Sequence, residues 1–547
     1  MIGETALSIA TSLGRAAYIS CFVVPAIYLV GALLCLHGGW DDGAITLAYA
    51  RTYFHTGSFS LTPVSTAVEG TSSLLWVAVM GFASIFGQKA GYLLAISKIC
   101  SAGCFVLFLL LFRRFASRVL DREYRDVAVI TMALAVTPLA EIANGMEMNL
   151  YALLVLLLTV LWLEDELKGW KLVAACSFLS VLSLAIRFES PFLLLFLYMG
   201  LAFGRPDRRR DIPKLIVVDA VALACIELWR WRAFHEVLPN TIIAKRWMPY
   251  TEPGVMHEGY RHVLGLLELP IVFAGPTAAI AILALHELLR RSSQTSTNRL
   301  QVRLQGDGIL LALMCVGALS FGLLLGKNWG TVGRMTFAFA PFFVLMLFVM
   351  IRDIQVFRQS RNLLFASILL LQLLALLAQM PRSLRNSVPE GLVESHGRDL
   401  ERIRIGLDQP SLSVMIPDVG GTALCCERLR LIDSGLLTNK VLAHRGYAAI
   451  PDVIDEERPD VIETHSTWQQ YGGFYKRSLL VDYEPVAFGD LVVYVRRPFA
   501  AKLVLSEHFI QGSCRELINF PKLFPAVLAK EDVAYLSQEQ ACLGWVD

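Results

Sequence analysis

Long apolar runs separated by short polar segments fill the chain up to about position 380. A helix rises about 1.5 Å per residue, so about 20 apolar residues cross the ~30 Å hydrocarbon core of a bilayer. Beyond position 380 the apolar stretches become shorter and alternate with turn residues. The pattern therefore predicts a membrane part at 1–380 and a soluble part at 381–547.

About eleven of the apolar runs are assigned as membrane-spanning helices. They lie near 17–37, 90–112, 127–143, 148–163, 171–187, 190–204, 214–230, 263–289, 308–326, 335–351 and 362–380. The run 73–86 has only about 14 residues and is predicted to be an interfacial or re-entrant helix that does not cross, with Trp76 as its interface anchor. The first run lacks a cleavage site, so no cleavable signal peptide is expected.

The basic residues indicate the orientation, because Lys and Arg accumulate in short cytoplasmic loops. Four loops are rich in arginine, at 113–125, 205–214, 290–303 and 352–361. Placing these loops in the cytoplasm puts the N-terminus inside and the C-terminal part outside. The stretch 38–89 then forms the first outer loop.

The C-terminal part has the pattern of a compact α/β or α+β domain outside the membrane. "SLSVMIPDVGGTAL", "PDVIET" and "DLVVYVRR" are typical of short strands with turn signals, and "TNKVLAH" and "FPAVLAKEDVAYL" predict helices. We find no internal repeat, phosphate-binding loop, dinucleotide fingerprint or zinc motif in the sequence.

The composition agrees with a polytopic membrane protein. Of 547 residues, 55% are hydrophobic and 18% charged, against about a quarter charged in soluble proteins, and the mean hydropathy is +0.54. The net charge of +2 does not indicate a nucleic-acid partner. The 11 cysteines show no CxxC pair or Cys/His metal spacing. In an exported domain some of four could pair: Cys425, Cys426, Cys514 and Cys542.

The remaining polar residues fall on the outer side of this topology. Charges at span ends cost free energy unless they are paired or face water, so they are functional candidates, although each alone could be a loop or lipid-facing residue. The candidates are Asp41 and Asp42, Glu69, and the segments 144–149, 187–190, 235–246 and 327–334.

Several of these segments resemble motifs of the GT-C glycosyltransferases, especially the terminal arabinofuranosyltransferases. The first outer loop carries "DDGAITLAYA", "HTGSFSLTP" and "VEGTSSLLW", and later come "NGMEMNLYALLVLLL", "RFES", "LPNTIIAK", "IPDVGGTAL" and "LRLIDSGLL". The chain departs from the family pattern at Ala48, at the missing Tyr between Gly70 and Thr71, and at Asn328.

The resemblance implies a GT-C-like fold and an inverting transfer on the outer face of a bacterial cytoplasmic (inner) membrane. The donor would be a polyprenyl-phosphate sugar, such as arabinofuranose. The acceptor, in the first place a cell-envelope glycan, could also be a lipid or a protein. A non-catalytic transporter or flippase of a lipid-linked sugar is the alternative. Carriers show broken helices and polar groups at mid-membrane depth, whereas the predicted spans are apolar at their centres.

Transfer requires a base, and Asp41 or Asp42 can supply it, because neighbouring acids and burial raise the proton affinity of a carboxylate. Adjacent residues do not share a helix face, so one acid points to the reaction and the other caps or orients. The family pattern favours Asp41 as base. A simple helix cap and a divalent cation such as Mg²⁺ or Mn²⁺ held by both acids stay open.

The leaving phosphate requires positive charge, which Lys245 and Arg334 are expected to supply first, followed by Arg187, Arg232 and Arg246. Each of these could instead bind lipid headgroups. Asn240 is expected to offer an amide to phosphate or sugar.

Sugar or acceptor orientation is assigned to Glu69, Glu147, Glu189 and His235. For Glu147 and Glu189, an ion pair with Arg187 is an equally good interpretation.

Overall fold

The computed structural model describes residues 2–247, 258–293, 306–326, 331–353, 361–385, 388–464, 468, 471–474, 477–488 and 491–504. Three expectations from the sequence lie outside these residues. They are the helix at 524–536, the segment 327–330, and any disulfide of Cys514 or Cys542.

Helices account for most of the described chain before residue 386. They are α1 Ile2–Leu34, α2 Asp41–Thr56, α3 Leu74–Ser84, α4 Ala90–Val119, α5 Arg122–Ala133, α6 Val136–Asn144, α7 Met148–Leu163, α8 Gly169–Ile186, α9 Ser190–Gly204, α10 Ile212–Phe234, α11 Asn240–Ala244, α12 Glu258–Val272, α13 Ala274–Ser293, α14 Asp307–Leu325, α15 Ala340–Asp353 and α16 Arg361–Arg385.

Among the described residues, 6 helical segments are long and apolar enough to cross a membrane, or 7 if α12 and α13 count as one. The chain is therefore a multi-pass membrane protein. The expected number of eleven spans is not reached. Helices α7, α9 and α15 lie where spans were expected but have 16, 15 and 14 residues, fewer than the ~20 of a full span.

The run at 263–289, expected as one helix, is two helices that meet at a bend of 99°. Pro270 lies inside α12, where it removes a backbone donor. Gly275 lets the start of α13 approach the backbone of α16, because an added Cβ would lie 2.3 Å from the Ile368 carbonyl oxygen. The expectation of a single continuous helix is therefore wrong.

Helix α3 has 11 residues, which is about 16 Å of helix and too short to cross a bilayer. This length agrees with the interpretation of 73–86 as a non-crossing segment. The expectation for Trp76 is wrong, because its side chain is buried rather than interfacial. The indole N–H donates to the Gly145 carbonyl oxygen at 3.2 Å.

The C-terminal part contains a 5-stranded sheet of order β2-β1-β3-β5-β4. Strands β2, β1 and β3 are parallel, and β5 pairs antiparallel with β3 and β4. All the predicted strands, and the helix in "TNKVLAH", are confirmed. The strands are β1 Leu412–Ile416, β2 Leu429–Asp433, β3 Val461–Glu463, β4 Tyr483–Phe488 and β5 Leu491–Arg496; the helices are α17 Glu390–Gly406, α18 Gly420–Cys425, α19 Lys440–Arg445, α20 Ile450–Glu457 and α21 Arg497–Val504.

Strand β1 is buried on both sides, which explains why four of its five residues are apolar. Val414 and Ile416 belong to an apolar cluster that includes Tyr49 of α2, whereas Met415 packs into a second cluster with Ile450. Helices α17 and α18 contact α2 directly. The sheet therefore positions the helix that begins with the acidic pair.

The structure pairs two neighbouring cysteines at the end of α18. Cys425 and Cys426 form a disulfide with each other, a pairing that the sequence had left open.

Candidate functional site

A cleft lined by charged, polar and apolar residues, with about 70 Å³ of water-accessible space, lies between the ends of the helices and the loop after β2. Its walls come from segments far apart in the sequence: the start of α2, the loop 70–73, the turn before α7, the ends of α8 and α11, and the segment before α15. The structure thus brings together five of the residues expected to act on substrate, which are Asp42, Glu147, Arg187, Lys245 and Arg334.

The two adjacent acids of α2 have different surroundings. Asp42 lines the cleft with a side chain that is 39% exposed, whereas Asp41 is buried. The Asp41 carboxylate accepts hydrogen bonds from the backbone amides of Gly420 at 2.8 Å and Gly421 at 2.7 Å. Successive helical residues are about 100° apart, so the two acids cannot point the same way. Asp41 ties α2 to α18, and Asp42 is the acid that faces the cleft.

Burial raises the pKa of Asp41 to about 8, and the nearby Asp418 carboxylate acts in the same direction. The Gly421 and Gly420 amides oppose this shift because they stabilise the ionised form. Since each carboxylate oxygen accepts one amide proton, the ionised form fits the geometry better than the protonated one.

Arg334 lies among several acids in the cleft without a short hydrogen bond to any of them. Its nitrogens are 3.9 Å from Asp42, 3.8 Å from Glu147 and 3.4 Å from Glu141, and its guanidinium stacks 5.8 Å from the Trp40 ring centroid. Charge-assisted hydrogen bonds are shorter, about 2.7–2.9 Å, so donors of Arg334 are available to a ligand.

Glu141 was not identified as a site residue from the sequence, although it is fully buried and faces Arg334. It lies inside the apolar run "VTPLAEIAN". An acid within an apolar helix is itself a signal of function or pairing, and that signal could have found it.

Arg187 forms ion pairs with two acidic side chains. It is buried and donates to Glu147 at 2.7 Å and to Glu189 at 2.7 Å, with a further contact of 3.1 Å to the Met335 sulfur. Burial alone would raise the pKa of Glu147, but Arg187 and Arg334 outweigh it and lower that pKa. Glu147 and Glu189 therefore form ion pairs with Arg187, as one of the two interpretations expected. Arg187 holds Glu147 at the cleft wall.

Lys245 follows the short helix α11 and is half-buried in the cleft wall. Within the part of the chain that the structure describes, its ammonium group forms no ion pair or hydrogen bond. Burial, together with the charges of Arg187 and Arg334, lowers the pKa of Lys245 to about 8, against the opposing effect of Glu189 and Asp42. Lys245 is thus a cation that an anion in the cleft would stabilise.

Glu69 does not line the cleft. Its carboxylate forms a buried two-point ion pair with Arg230, one contact of which is 2.9 Å long. Arg230 was not among the residues expected in the site. Arg232 was expected to bind the phosphate, but its side chain lies exposed on α10. The two arginines are two positions apart on a helix and so point to different sides, and the apolar sequence around them did not distinguish their directions.

Asn240, His235 and Arg246 also lie outside the cleft lining. The Asn240 amide donates to the Leu437 carbonyl oxygen at 2.8 Å and to two further carbonyls of the same loop. His235 is exposed and ends α10 with a φ of 53°. Arg246 is exposed and donates to the His444 carbonyl oxygen at 2.6 Å. Contact of these residues with substrate therefore stays a prediction that the cleft lining does not support.

No family model and no curated protein matches the sequence. Several solved structures resemble its fold, among them those of the following two proteins. ArnT from Cupriavidus metallidurans has a TM-score of 0.52 and 10% identity, covering 90% of this chain and 98% of ArnT. The archaeal oligosaccharyltransferase AglB from Archaeoglobus fulgidus, solved with an inhibitory peptide and a dolichol-phosphate, has a TM-score of 0.50 and 12% identity, covering 86% of this chain and 72% of AglB. This chain therefore shares the fold of these two proteins.

Proposed function

We propose that the chain is a glycosyltransferase that moves a sugar from a polyprenyl-phosphate donor to an acceptor hydroxyl. The observation that carries this proposal is the half-exposed Asp42 carboxylate in a cleft shared with Arg334 and Lys245, on a GT-C fold. AglB was solved with a dolichol-phosphate, a lipid of the same chemical class as the proposed leaving group.

The general base is assigned to Asp42. The acceptor oxygen attacks the anomeric carbon, the bond from that carbon to the phosphate oxygen breaks, and the acceptor proton passes to Asp42. A single displacement inverts the anomeric configuration. The family pattern favours Asp41 for this role, but both Asp41 oxygens accept amide hydrogen bonds and the side chain is buried. Asp41 therefore supports the base by fixing the start of α2.

The leaving phosphate is assigned to Lys245 and Arg334. Both line the cleft, and neither is held by a hydrogen bond shorter than 3 Å to an acid among the described residues. Cations aimed at a developing phosphate charge lower the barrier to its departure. Arg187 is tightly paired with Glu147 and Glu189. It is therefore assigned to positioning Glu147 in the cleft wall rather than to binding the phosphate.

An apolar groove on α2, α3 and α10, with about 370 Å³ of water-accessible space, is assigned to the isoprenoid tail. Phe59, Val77 and Trp229 are among its lining residues. Leu74 lines the groove, and Ser73, one residue earlier, lines the cleft. A lipid lying in the groove can thus place its phosphate in the cleft.

The resemblance to terminal arabinofuranosyltransferases makes arabinofuranose the first sugar to test and a cell-envelope glycan the first acceptor. The expected place is a bacterial cytoplasmic membrane with the sheet part outside, where such an acceptor is found. A requirement for Mg²⁺ or Mn²⁺ held by Asp41 and Asp42 stays a prediction, which transfer assays with and without EDTA test directly.

The test uses the purified full chain in detergent, a labelled synthetic polyprenyl-phosphate arabinofuranose and an oligosaccharide acceptor. We expect a glycosylated acceptor of inverted configuration and one released polyprenyl phosphate per transfer. Donors carrying ribofuranose or mannose, run in parallel, separate the sugar from the reaction class. Absence of transfer with every donor would refute the proposal.

A carrier of lipid-linked sugar is the second candidate, because α12 and α13 form a broken helix pair, a feature of transporters. Detergent solution has no compartments, so a carrier yields no product there but moves labelled donor across proteoliposomes. Product formed in detergent therefore decides for the enzyme.

A further inference from the structure

His37, Glu390 and Glu394 form a cluster of ligating side chains that is separate from the residues lining the cleft. The two glutamates are one helical turn apart at the start of α17, so they share a face. His37 Nδ1 lies 3.0 Å from Glu390 Oε2 and 2.8 Å from Glu394 Oε2. One ligand atom from each residue lies within 4.8 Å of the others.

One buried carboxylate oxygen of this cluster has no hydrogen-bond partner among the described residues. Glu390 is fully buried and Glu394 is 4% exposed. The Oε1 atom of Glu390 is buried, and no hydrogen-bond donor contacts it among the described residues. Glu394 pairs with Arg398, whose side chain is 66% exposed, and the Lys98 ammonium is the other cation that acts on Glu390. Two close, buried carboxylates are costly unless a cation or a proton lies between them.

We propose that His37, Glu390 and Glu394 bind a divalent transition-metal ion, with Zn²⁺ as the best fit. One imidazole and two carboxylates form a three-ligand set of the kind that zinc accepts, with water as the fourth ligand. Mg²⁺ and Ca²⁺ prefer ligand sets of oxygen alone. The His37 side chain is 44% exposed, which gives the ion an entry path and leaves room for the water.

The site joins the start of α17 to the segment that leads into α2. The Glu390 amide donates to the Gly39 carbonyl oxygen at 2.8 Å, and the Asp41 amide donates to the Val388 carbonyl oxygen at 3.1 Å. An ion bound by His37 and the two glutamates would clamp these same two segments together. The inference concerns the assembly of the fold and holds whether or not the chain transfers sugars.

The first experiment measures metal binding by the full chain in detergent. The protein is stripped with a chelator, dialysed and titrated with Zn²⁺, and the bound metal is counted by elemental mass spectrometry. We expect one ion per chain and a higher Tm with Zn²⁺ but not with the same concentration of Mg²⁺. Cobalt substitution should produce visible d–d absorption bands.

Variants locate the ion. His37→Asn, Glu390→Gln and Glu394→Gln should each weaken Zn²⁺ binding about tenfold or more, since even loss of a partner behind a ligand weakens metal sites by about 10–100-fold. His444→Asn is the matched control, because His444 is also half-exposed and lies 2.9 Å from one carboxylate, Glu236. It should bind like the parent protein.

The proposal is overturned if the parent chain takes up no Zn²⁺, or takes up as much as the His37→Asn variant. The cluster would then be a hydrogen-bonded ion pair that shares a proton. If the variants do not fold, the cobalt spectrum of the parent chain decides, and the absence of d–d bands from bound Co²⁺ overturns the proposal in the same way.

Discussion

Replacing Asp42 and Asp41 by asparagine, one at a time, should separate the reaction from the folding of the site. Asparagine keeps the shape of aspartate but loses the basic oxygen. In Asp42→Asn the cleft therefore keeps its cations and loses its base. In Asp41→Asn the cleft keeps its base, but the contact between α2 and the Gly420 and Gly421 amides is weakened.

The two variants should change different quantities: Asp42→Asn the rate of transfer, and Asp41→Asn the stability of the protein. Removing a general base slows a reaction by about 10²–10⁴, or ~2.7–5.5 kcal/mol of barrier, so Asp42→Asn should lower kcat by at least about 10² with little change in donor KM. In Asp41→Asn one oxygen still accepts an amide hydrogen bond, but the other amide meets an NH₂ group. Leaving a buried donor without an acceptor costs ~1–3 kcal/mol, which should appear as a lower Tm.

Initial rates over a range of donor concentrations, with Tm recorded on the same samples, test both expectations. Asp452→Asn, at an exposed side chain of α20, is the control and should change neither quantity. Retention of more than about a tenth of kcat in Asp42→Asn would contradict the role of Asp42. If Asp41→Asn instead abolished transfer at an unchanged Tm, Asp41 would be the base.

Four further outcomes are expected. Lys245→Ala and Arg334→Ala should each raise donor KM about tenfold or more, since a charge-assisted contact contributes ~1.5–3 kcal/mol, whereas Arg232→Ala, outside the cleft lining, should leave KM unchanged. Because the pKa of Lys245 is lowered to about 8, Lys245 is fully cationic only below that pH, so donor KM should rise above pH 8 in the parent chain and stay flat in Lys245→Arg. Glu69→Gln, which leaves Arg230 with its second acidic partner Glu227 at 2.6 Å, should lower the stability by ~1.5–3 kcal/mol, measured as a lower Tm. A reporter fused after the last residue should be active only outside the cytoplasm; activity inside would put the cleft in the wrong compartment.

The helices and the residues of the cleft could be predicted because their signals are local. An apolar run of about 20 residues predicts a helix whatever it packs against. Asp42, Lys245 and Arg334 were found as charges at the ends of such runs, where an unpaired charge is costly. The strands of the sheet were recognised in the same way, from short apolar stretches between turn residues.

Other features could not be predicted, because they depend on contacts between distant segments. The helix period separates Asp41 from Asp42 but does not say which one meets Gly420, a residue 379 positions away. Trp76 has the sequence context of an interface anchor, and only the packing of α3 against α2 buries it. Beside the bend between α12 and α13, Gly275 approaches α16 closely, a contact that no local pattern shows.

Two residues that the sequence associated with substrate instead join the membrane part to the sheet part. Asp41 holds the start of α2 on α18, and Asn240 holds α11 on the loop after β2. Asp42 comes directly after the first of these contacts, and Lys245 directly after the helix that carries the second. The sheet part therefore sets the distance between the proposed base and one proposed phosphate cation, because each lies next to a contact with it. The polar residues at the ends of the apolar runs thus have two kinds of role: some are proposed to act in the cleft, and others contact the sheet part.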